Sequence, residues 1–178
     1  MHLFLIGLPG SGKSTLGRRL AAHYGRPFVD LDELLVKEAG QSIPEIFATE
    51  GEAGFRAREA AALTRLIRRP EPLVVATGGG TPCFHNNIGL LRQTGFVLWL
   101  AVPVPELVQR LAAHGQAAGR PLLATAGSAE NPETALLAQL TRTLAARSEF
   151  YAQAHLQHAG AATTAEVVAA LAAAGFQP

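Results

Sequence analysis

The chain has 178 residues, of which 48% are hydrophobic, and its 15 Lys and Arg nearly balance its 14 Asp and Glu, leaving a formal charge of +1. This size and composition predict one domain over residues 1–178, and the near-neutral charge argues against a nucleic-acid binder. The apolar start at residues 2–6 stops at Gly7, too short for a membrane span or a secretory signal. The single cysteine, Cys83, excludes an internal disulfide and favours the cytoplasm.

Short apolar runs alternate with helical patterns along the chain, which predicts an α/β fold with a parallel sheet wrapped by helices. The runs that predict strands are residues 3–6, 28–29, 73–76, 96–100 and 156–158. The patterns that predict helices are residues 13–24, 43–69 after a capping box at Ser42, 103–113, 133–154 and 164–174 after a capping box at Thr163. Small polar residues at 114–119 and 125–131 predict a mobile loop.

The clearest chemical motif lies between the first predicted strand and the first predicted helix. Residues 7–14 read Gly-Leu-Pro-Gly-Ser-Gly-Lys-Ser and fit the pattern G-x-x-x-x-G-K-S/T. The glycines let successive backbone N–H groups approach phosphate oxygens, and the helix N-terminus adds positive charge. We expect Lys13 to hold the β- and γ-phosphates of ATP and Ser14 to bind Mg²⁺. The predicted nucleotide contacts of this loop are Gly10, Ser11, Gly12, Lys13, Ser14 and Thr15.

This loop alone does not separate kinases from GTPases or motor ATPases, because all of them need the same phosphate cradle. Asp30 and Asp32 follow the second predicted strand. In an extended segment, residues two apart point to the same side, so we expect both carboxylates on one side. They lie at the edge where a parallel sheet opens its ligand crevice. The alternative is that Asp30 caps a following helix and Asp32 is a solvated charge in its first turn. Taken singly, Arg56 is more typical of a solvated helix face than of a ligand contact, and residues 78–80 fit a simple tight turn equally well.

In order along the chain, the motifs together closely resemble those of shikimate kinase. They are FxDxD at 28–32, SIxEIF at 42–47, GExxFR at 51–56, GGG at 78–80 and RPLL at 120–123. The resemblance covers about residues 3–151. It implies a P-loop NTPase with the nucleoside-monophosphate-kinase-like fold: a five-stranded parallel sheet flanked by helices, with a lid at about 112–131. It further implies a single kinase domain that uses ATP and Mg²⁺ to phosphorylate the 3-hydroxyl of shikimate.

The resemblance also assigns roles on the acceptor side of the site. Asp30 matches a carboxylate that reaches Mg²⁺ through water, and Asp32 matches one that grips the shikimate hydroxyls and accepts a proton. Arg56 matches the arginine that binds the shikimate carboxylate, and Arg147 resembles its partner. Two planar guanidinium groups suit this task because their forked donors match carboxylate geometry.

On the resemblance, the backbone of Gly78, Gly79 and Gly80 contacts the hydroxyl face of the substrate. Arg120 corresponds to a lid arginine that closes over the phosphates, and Arg110 to an arginine on the nucleotide side. The predicted catalytic residues are therefore Lys13, Asp32 and Arg120.

Two other functions remain open at this point. A P-loop kinase for another small hydroxylated metabolite, such as gluconate, would use Lys13 and Asp30 without needing the pair of Arg56 and Arg147. A non-enzymatic nucleotide-binding module is disfavoured because Lys13, Ser14 and Asp32 are all intact. For the leading function we expect shikimate as the small-molecule substrate, no nucleic acid, no membrane and a monomer.

Overall fold

The computed structural model describes residues 1–113, 131–159 and 163–178. In these ranges five strands form one parallel sheet with the order β2-β3-β1-β4-β5. They are β1 (His2–Ile6), β2 (Phe28–Asp30), β3 (Val74–Ala76), β4 (Gly95–Leu100) and β5 (Leu156–His158). The predicted α/β fold with five parallel strands is therefore confirmed.

Seven α-helices and one short 3-10 helix, Thr81–Cys83, accompany the strands in the described ranges. The α-helices are α1 (Lys13–Tyr24), α2 (Leu31–Ala39), α3 (Ile43–Ile67), α4 (Asn87–Thr94), α5 (Val104–Ala113), α6 (Pro132–Tyr151) and α7 (Thr164–Ala173). Both predicted capping boxes form, at Ser42 and at Thr163. Each joins the cap hydroxyl and a glutamate side chain to backbone N–H groups of the first turn, which fixes where the helix begins.

The central strands β1 and β3 are buried on both faces, as the apolar run at residues 3–6 of β1 requires. Phe4 and Ile6 point to a cluster built mainly with side chains of α2, α3, α5 and α6. Leu3 and Leu5 point to the opposite cluster, which α1 and α7 complete. The three layers hold β1 rigidly at the centre of the molecule, so the loop that follows β1 starts from a fixed position.

The strand order brings three predicted site segments to one edge of the sheet. From β1 the chain passes through α1 to the outer strand β2 and returns to β3, whereas β4 and β5 lie on the other side of β1. Because all strands are parallel, three segments lie together at the carboxyl ends of neighbouring strands: residues 7–14, Asp30 and residues 78–80. In doubly wound sheets this edge is where ligands bind.

The predicted lid at about 112–131 lies almost entirely outside the described residues, and so does Arg120. None of the helices within the described ranges combines the length and the apolar composition that crossing a bilayer requires.

Candidate active site

The loop after β1 has the geometry of a phosphate cradle. Gly12 has a φ of 91°, a conformation that suits glycine, and it immediately precedes the first residue of α1. Lys13 folds its amine back over the loop, where Nζ donates hydrogen bonds of 2.9 Å to the carbonyls of both Gly7 and Leu8. This arrangement holds the ammonium group at the helix N-terminus, the position at which anionic phosphate is stabilised.

Ser14 and Asp30 meet across the crevice between β1 and β2. The Ser14 hydroxyl donates to Asp30 Oδ2 at 2.5 Å. The other oxygen of Asp30 accepts from the N–H groups of Asp32 and Glu33 and thereby caps α2. Asp30 therefore does both things that the sequence offered as alternatives: it caps a helix, and it also faces the predicted Mg²⁺ ligand.

The expectation that Asp30 and Asp32 share one side of an extended segment is wrong. β2 ends at Asp30, and the cap that Asp30 provides starts α2 at Leu31, so Asp32 lies in the first helical turn. Asp32 nevertheless reaches the crevice, a cleft of about 390 Å³. The predicted site residues that line this cleft are Gly10, Gly12, Lys13, Ser14, Thr15, Asp30, Asp32, Gly79 and Arg110. Ser11 is buried in the loop beneath it.

The glycine run at residues 78–80 is the meeting point of the predicted acceptor-side residues. A Cβ atom at residue 78 would lie 2.8 Å from Asp32 Oδ1, and one at residue 79 would lie 3.1 Å from Arg147 Nη1. A Cβ atom at residue 80 would lie only 2.7 Å from both terminal nitrogens of Arg56. Four charged side chains from α2, α3 and α6, with Glu59 Oε1 2.7 Å from a Cβ atom at residue 78 as the fourth, thus contact one short backbone segment after β3. Side chains larger than hydrogen at these positions would push them away.

Arg56 is deeply buried, with 4% of its surface exposed, and two carboxylates hold it. Nη1 donates to Glu59 at 2.5 Å, while Nε and Nη2 both donate to Glu52. Burial on its own lowers the pKa of Arg56, but the charge and hydrogen bond of Glu59 outweigh this and raise the pKa. The guanidinium group therefore remains a fixed positive charge.

A chain of buried polar groups continues behind Arg56, and none of the sequence motifs gives it a role. Glu59, only 1% exposed, bridges Arg56 and the hydroxyl of Thr81, which donates to Glu59 Oε1 at 2.5 Å. Asn87 then donates to the carbonyl of Thr81 at 2.9 Å. The sequence held a clue in the spacing of three residues between Arg56 and Glu59, which places both on one helix face.

Arg147 comes to the same place from α6. Its Nη1 is buried beside Gly79 and has no hydrogen-bond partner among the described residues. One helical turn later, the hydroxyl of Tyr151 donates to the carbonyl of Gly79 at 2.5 Å. A buried guanidinium nitrogen without an acceptor is costly, so its place beside the glycine run marks a position suited to an anionic ligand group.

Arg110 lies on the side of the cleft formed by the loop after β1. Arg110 lies in α5 and lines the cleft, paired with Glu106, and its Nη1 would be 3.8 Å from a Cβ atom at residue 12. The register of α5 thus brings this arginine to the phosphate loop. Arg120 lies outside the described residues.

The donors beside Lys13 fit a magnesium ion. Ser14 and Asp30 offer a hydroxyl and a carboxylate oxygen, and Mg²⁺ prefers a few hard oxygen ligands together with waters and substrate phosphates. Within residues 1–113, 131–159 and 163–178, no group of three His, Cys, Asp or Glu side chains could hold a metal ion by itself. The fit is therefore to an ion that arrives with nucleotide rather than to a metal caged by protein.

Comparisons with known proteins agree with this geometry. The family model for shikimate kinase matches residues 9–174. The shikimate kinase of Symbiobacterium thermophilum is 46% identical over 155 residues, which cover 86% of this chain and 83% of that protein. The shikimate kinase of Synechococcus elongatus is 46% identical over 157 residues, covering 88% of this chain and 76% of that protein.

Solved structures of both kinds of kinase resemble this chain to different degrees. Shikimate kinase from Acinetobacter baumannii in complex with shikimate is 34% identical, with a TM-score of 0.83 over 99% of this chain and 95% of that one. A gluconokinase from Sinorhizobium meliloti is 18% identical, with a TM-score of 0.55 over 97% of this chain and 90% of that one, a likeness of fold alone. The chain therefore belongs to the shikimate kinase family and is a kinase that uses ATP.

Proposed function

We propose that this chain transfers the terminal phosphoryl group of ATP to the 3-hydroxyl of shikimate, releasing ADP and shikimate 3-phosphate. Membership of the shikimate kinase family supports the choice of substrate. The observation that carries the proposal is the convergence of Asp32, Arg56 and Arg147 on the glycine run, next to the phosphate loop. Shikimate carries one carboxylate and three hydroxyls. Arg56 and Arg147 offer cationic groups for the carboxylate, and Asp32 offers a carboxylate for the hydroxyls.

On the acceptor side, the two arginines orient the substrate. Arg56 and Arg147 bind the carboxylate of shikimate, and the buried Nη1 of Arg147 acquires the acceptor that it lacks among the described residues. The backbone at Gly78, Gly79 and Gly80 contacts the hydroxyl face. Fixing both ends of a small ring places its reacting hydroxyl in line with the γ-phosphate, and such positioning supplies most of the catalysis in phosphoryl transfer.

Asp32 accepts the hydroxyl proton as the new bond forms. It lines the cleft beside Gly78, so its carboxylate lies between the glycine run and the phosphate loop. A carboxylate here withdraws the proton from the attacking oxygen and also orients that oxygen by hydrogen bonding.

On the donor side, the loop after β1 surrounds the phosphates of ATP with Gly10, Ser11, Gly12 and Thr15. Lys13 neutralises the charge of the phosphates, and Arg110 lies beside them. We propose that Ser14 binds Mg²⁺ directly and that Asp30 binds it through water. The ion, when bound, neutralises charge on the phosphate oxygens. Arg120 adds a positive charge when the lid at about 112–131 closes, and closure excludes water that would otherwise hydrolyse ATP.

The proposal also includes a single kinase domain over residues 1–178 that acts as a monomer in the cytoplasm. Helices cover both faces of the one sheet, which supports the single domain. The monomer and the location rest on the sequence arguments given above.

Gluconate is the competing acceptor. Gluconate also carries a carboxylate, so the expectation that a gluconate kinase would not need Arg56 and Arg147 is too strict, and this pair does not by itself exclude gluconate. The greater similarity to shikimate kinases, in both sequence identity and TM-score, favours shikimate.

A coupled ADP-release assay with ATP and Mg²⁺ tests the proposal, with shikimate and gluconate as parallel acceptors. We expect ADP release that depends on shikimate, and a turnover roughly 10²- to 10⁴-fold lower in Asp32→Asn. The matched control is Glu33→Gln, which removes a neighbouring exposed carboxylate of the same helical turn, one that pairs with Arg18 outside the cleft. ADP release with gluconate but not with shikimate would overturn the proposal.

A further inference from the structure

The three carbonyl groups of the glycine run are held in different ways. Gly78 O accepts from the N–H of Thr81 at 3.2 Å, and Gly80 O accepts from the N–H of Cys83 at 2.9 Å. Both are local turn bonds that the backbone makes by itself. The middle carbonyl, Gly79 O, accepts from the hydroxyl of Tyr151, 72 residues further along the chain. One peptide of the run therefore depends on a distant side chain.

Tyr151 is well suited to hold a carbonyl group. The residue is completely buried, and its ring packs on Trp99 with the ring centroids 5.7 Å apart. Burial raises the pKa of Tyr151 to about 12, although the positive charge of Arg147 and a hydrogen bond with the Arg147 side chain act in the opposite direction. The phenol is therefore protonated throughout the neutral pH range and remains a hydrogen-bond donor.

The direction of the Gly79 carbonyl determines the direction of the next N–H group. The described part of the chain contains no cis peptide, and in a trans peptide the carbonyl of residue 79 and the N–H of residue 80 point in opposite directions. Glycine has wide rotational freedom, so neither residue restricts this peptide through a side chain of its own. Holding the carbonyl towards Tyr151 therefore holds the Gly80 N–H on the opposite side.

We propose that Tyr151 is a positioning residue for the acceptor. Its hydroxyl fixes the peptide between Gly79 and Gly80 so that the Gly80 N–H is presented to the hydroxyl face of the substrate. Tyr151 follows Arg147 by four residues on the same face of α6. Helix α6 thus supports two contacts to the acceptor: the backbone contact of Gly80, through Tyr151, and the contact of Arg147 with the carboxylate. This inference rests on the proposed function.

The variant that tests it is Tyr151→Phe, which keeps the ring and removes only the hydroxyl. Without its donor the Gly79 carbonyl is left unsatisfied and the peptide is free to rotate. We expect the KM for shikimate to rise roughly tenfold while the KM for ATP is unchanged, because the phosphate loop makes no use of this hydrogen bond. The matched control is Tyr24→Phe, the same change at the other tyrosine of the chain, where the ring packs on Phe176 away from the cleft. Tyr24→Phe should retain both wild-type KM values.

The possible outcomes are distinct. An unchanged KM for shikimate in folded Tyr151→Phe overturns the positioning role, and so does an equal rise in both KM values, which would indicate general loosening. Failure of the wild-type protein to use shikimate at all would instead defeat the proposed function.

A second measurement applies if Tyr151→Phe does not fold. Tyr24→Phe protein produced with 3-fluorotyrosine carries a single fluorine label, beside the hydroxyl of residue 151. Hydrogen bonds along a chain polarise one another, so a new bond at the Gly80 N–H should strengthen the bond that the Gly79 carbonyl accepts. We expect shikimate to shift the ¹⁹F resonance in the absence of nucleotide. A resonance that does not respond to saturating shikimate would overturn the proposal.

Discussion

Lys13 is held in place before any phosphate arrives, since its amine already donates to two carbonyls of its own loop. This arrangement limits how far the charge must move when phosphate binds. Lys13→Ala should therefore lower turnover by about 10²- to 10³-fold, the usual cost of losing a donor that stabilises developing charge. The chain has only one other lysine, the exposed Lys37, and Lys37→Ala provides the control. Circular dichroism should show both variants folded, and near-normal turnover in Lys13→Ala would refute its role.

The two acceptor-side arginines should respond differently to removal. Arg147 has a buried nitrogen with no protein acceptor in the described ranges, so Arg147→Ala breaks no hydrogen bond at that atom. We expect the KM for shikimate to rise roughly 10- to 100-fold, as for a lost hydrogen bond to a charged group, with little change in Tm. Arg142→Ala is the matched control, because Arg142 is an exposed arginine of the same helix.

Arg56→Ala should weaken shikimate binding and also destabilise the fold. Its removal leaves Glu59 as a buried carboxylate without its cation, a change that typically costs about 3–5 kcal/mol. Thermal unfolding and the KM values for shikimate and ATP would separate the two effects. Equal losses of shikimate and ATP affinity would contradict the assignment of Arg56 to the carboxylate.

At the scale of helices and strands, local chemistry predicted most of the fold. Capping boxes at Ser42 and Thr163 gave the starts of α3 and α7, because side-chain oxygens there satisfy the first N–H groups. The helix α4 was not predicted, since its first turns contain Asn87 and Gly89, which are poor helix formers, and its cap uses no side-chain hydrogen bond. The break in α3 at Gly51, with a φ of 69°, was also missed.

Tertiary contacts account for what the sequence could not predict at the site. The loop after β1 could be predicted because its residues are contiguous in sequence and match a pattern whose function is to bind phosphate. The bond between Tyr151 and Gly79 depends on how α6 packs against the glycine run. The two carboxylates on Arg56, by contrast, are local partners on α3, and only their place beside the glycine run depends on packing. No local pattern encodes a contact between residues 72 positions apart.

A histidine at the start of β1 predicts a pH dependence of stability. Nδ1 of His2 accepts from the N–H of Leu73 at 3.1 Å, so the ring must be neutral at that nitrogen. Burial lowers the pKa of His2 below 6.5. The unfolded chain therefore binds more protons, and the contribution of His2 to stability is complete above pH 6.5 and is lost as the pH falls through the folded pKa.

Denaturant unfolding between pH 7.5 and pH 5 (roughly one unit above and below the ordinary histidine pKa) measures this effect. The variant His2→Asn supplies an acceptor that does not titrate, so its free energy of unfolding should depend less on pH over this range. Identical pH profiles for the two proteins would show that His2 is not the group responsible.

At the scale of the whole molecule, the sheet and the helices packed on its two faces position every site residue that the structure describes. Residue 120, in contrast, belongs to the segment assigned to the lid. If that segment closes only when both substrates are bound, Arg120 acts late in the cycle. Arg120→Ala should then lower turnover more than it changes either KM, and steady-state kinetics with each substrate varied in turn would show it. An unaltered turnover would mean that another group supplies the charge.

The most direct test of the account is to identify the product. Purified protein, ATP, Mg²⁺ and shikimate would be incubated to completion and analysed by ³¹P and ¹H NMR, which report which ring position carries the new phosphate. The account predicts one product, shikimate 3-phosphate, formed in equal amount to ADP. Phosphate on a different hydroxyl, or ADP and free phosphate with shikimate unmodified, would contradict it.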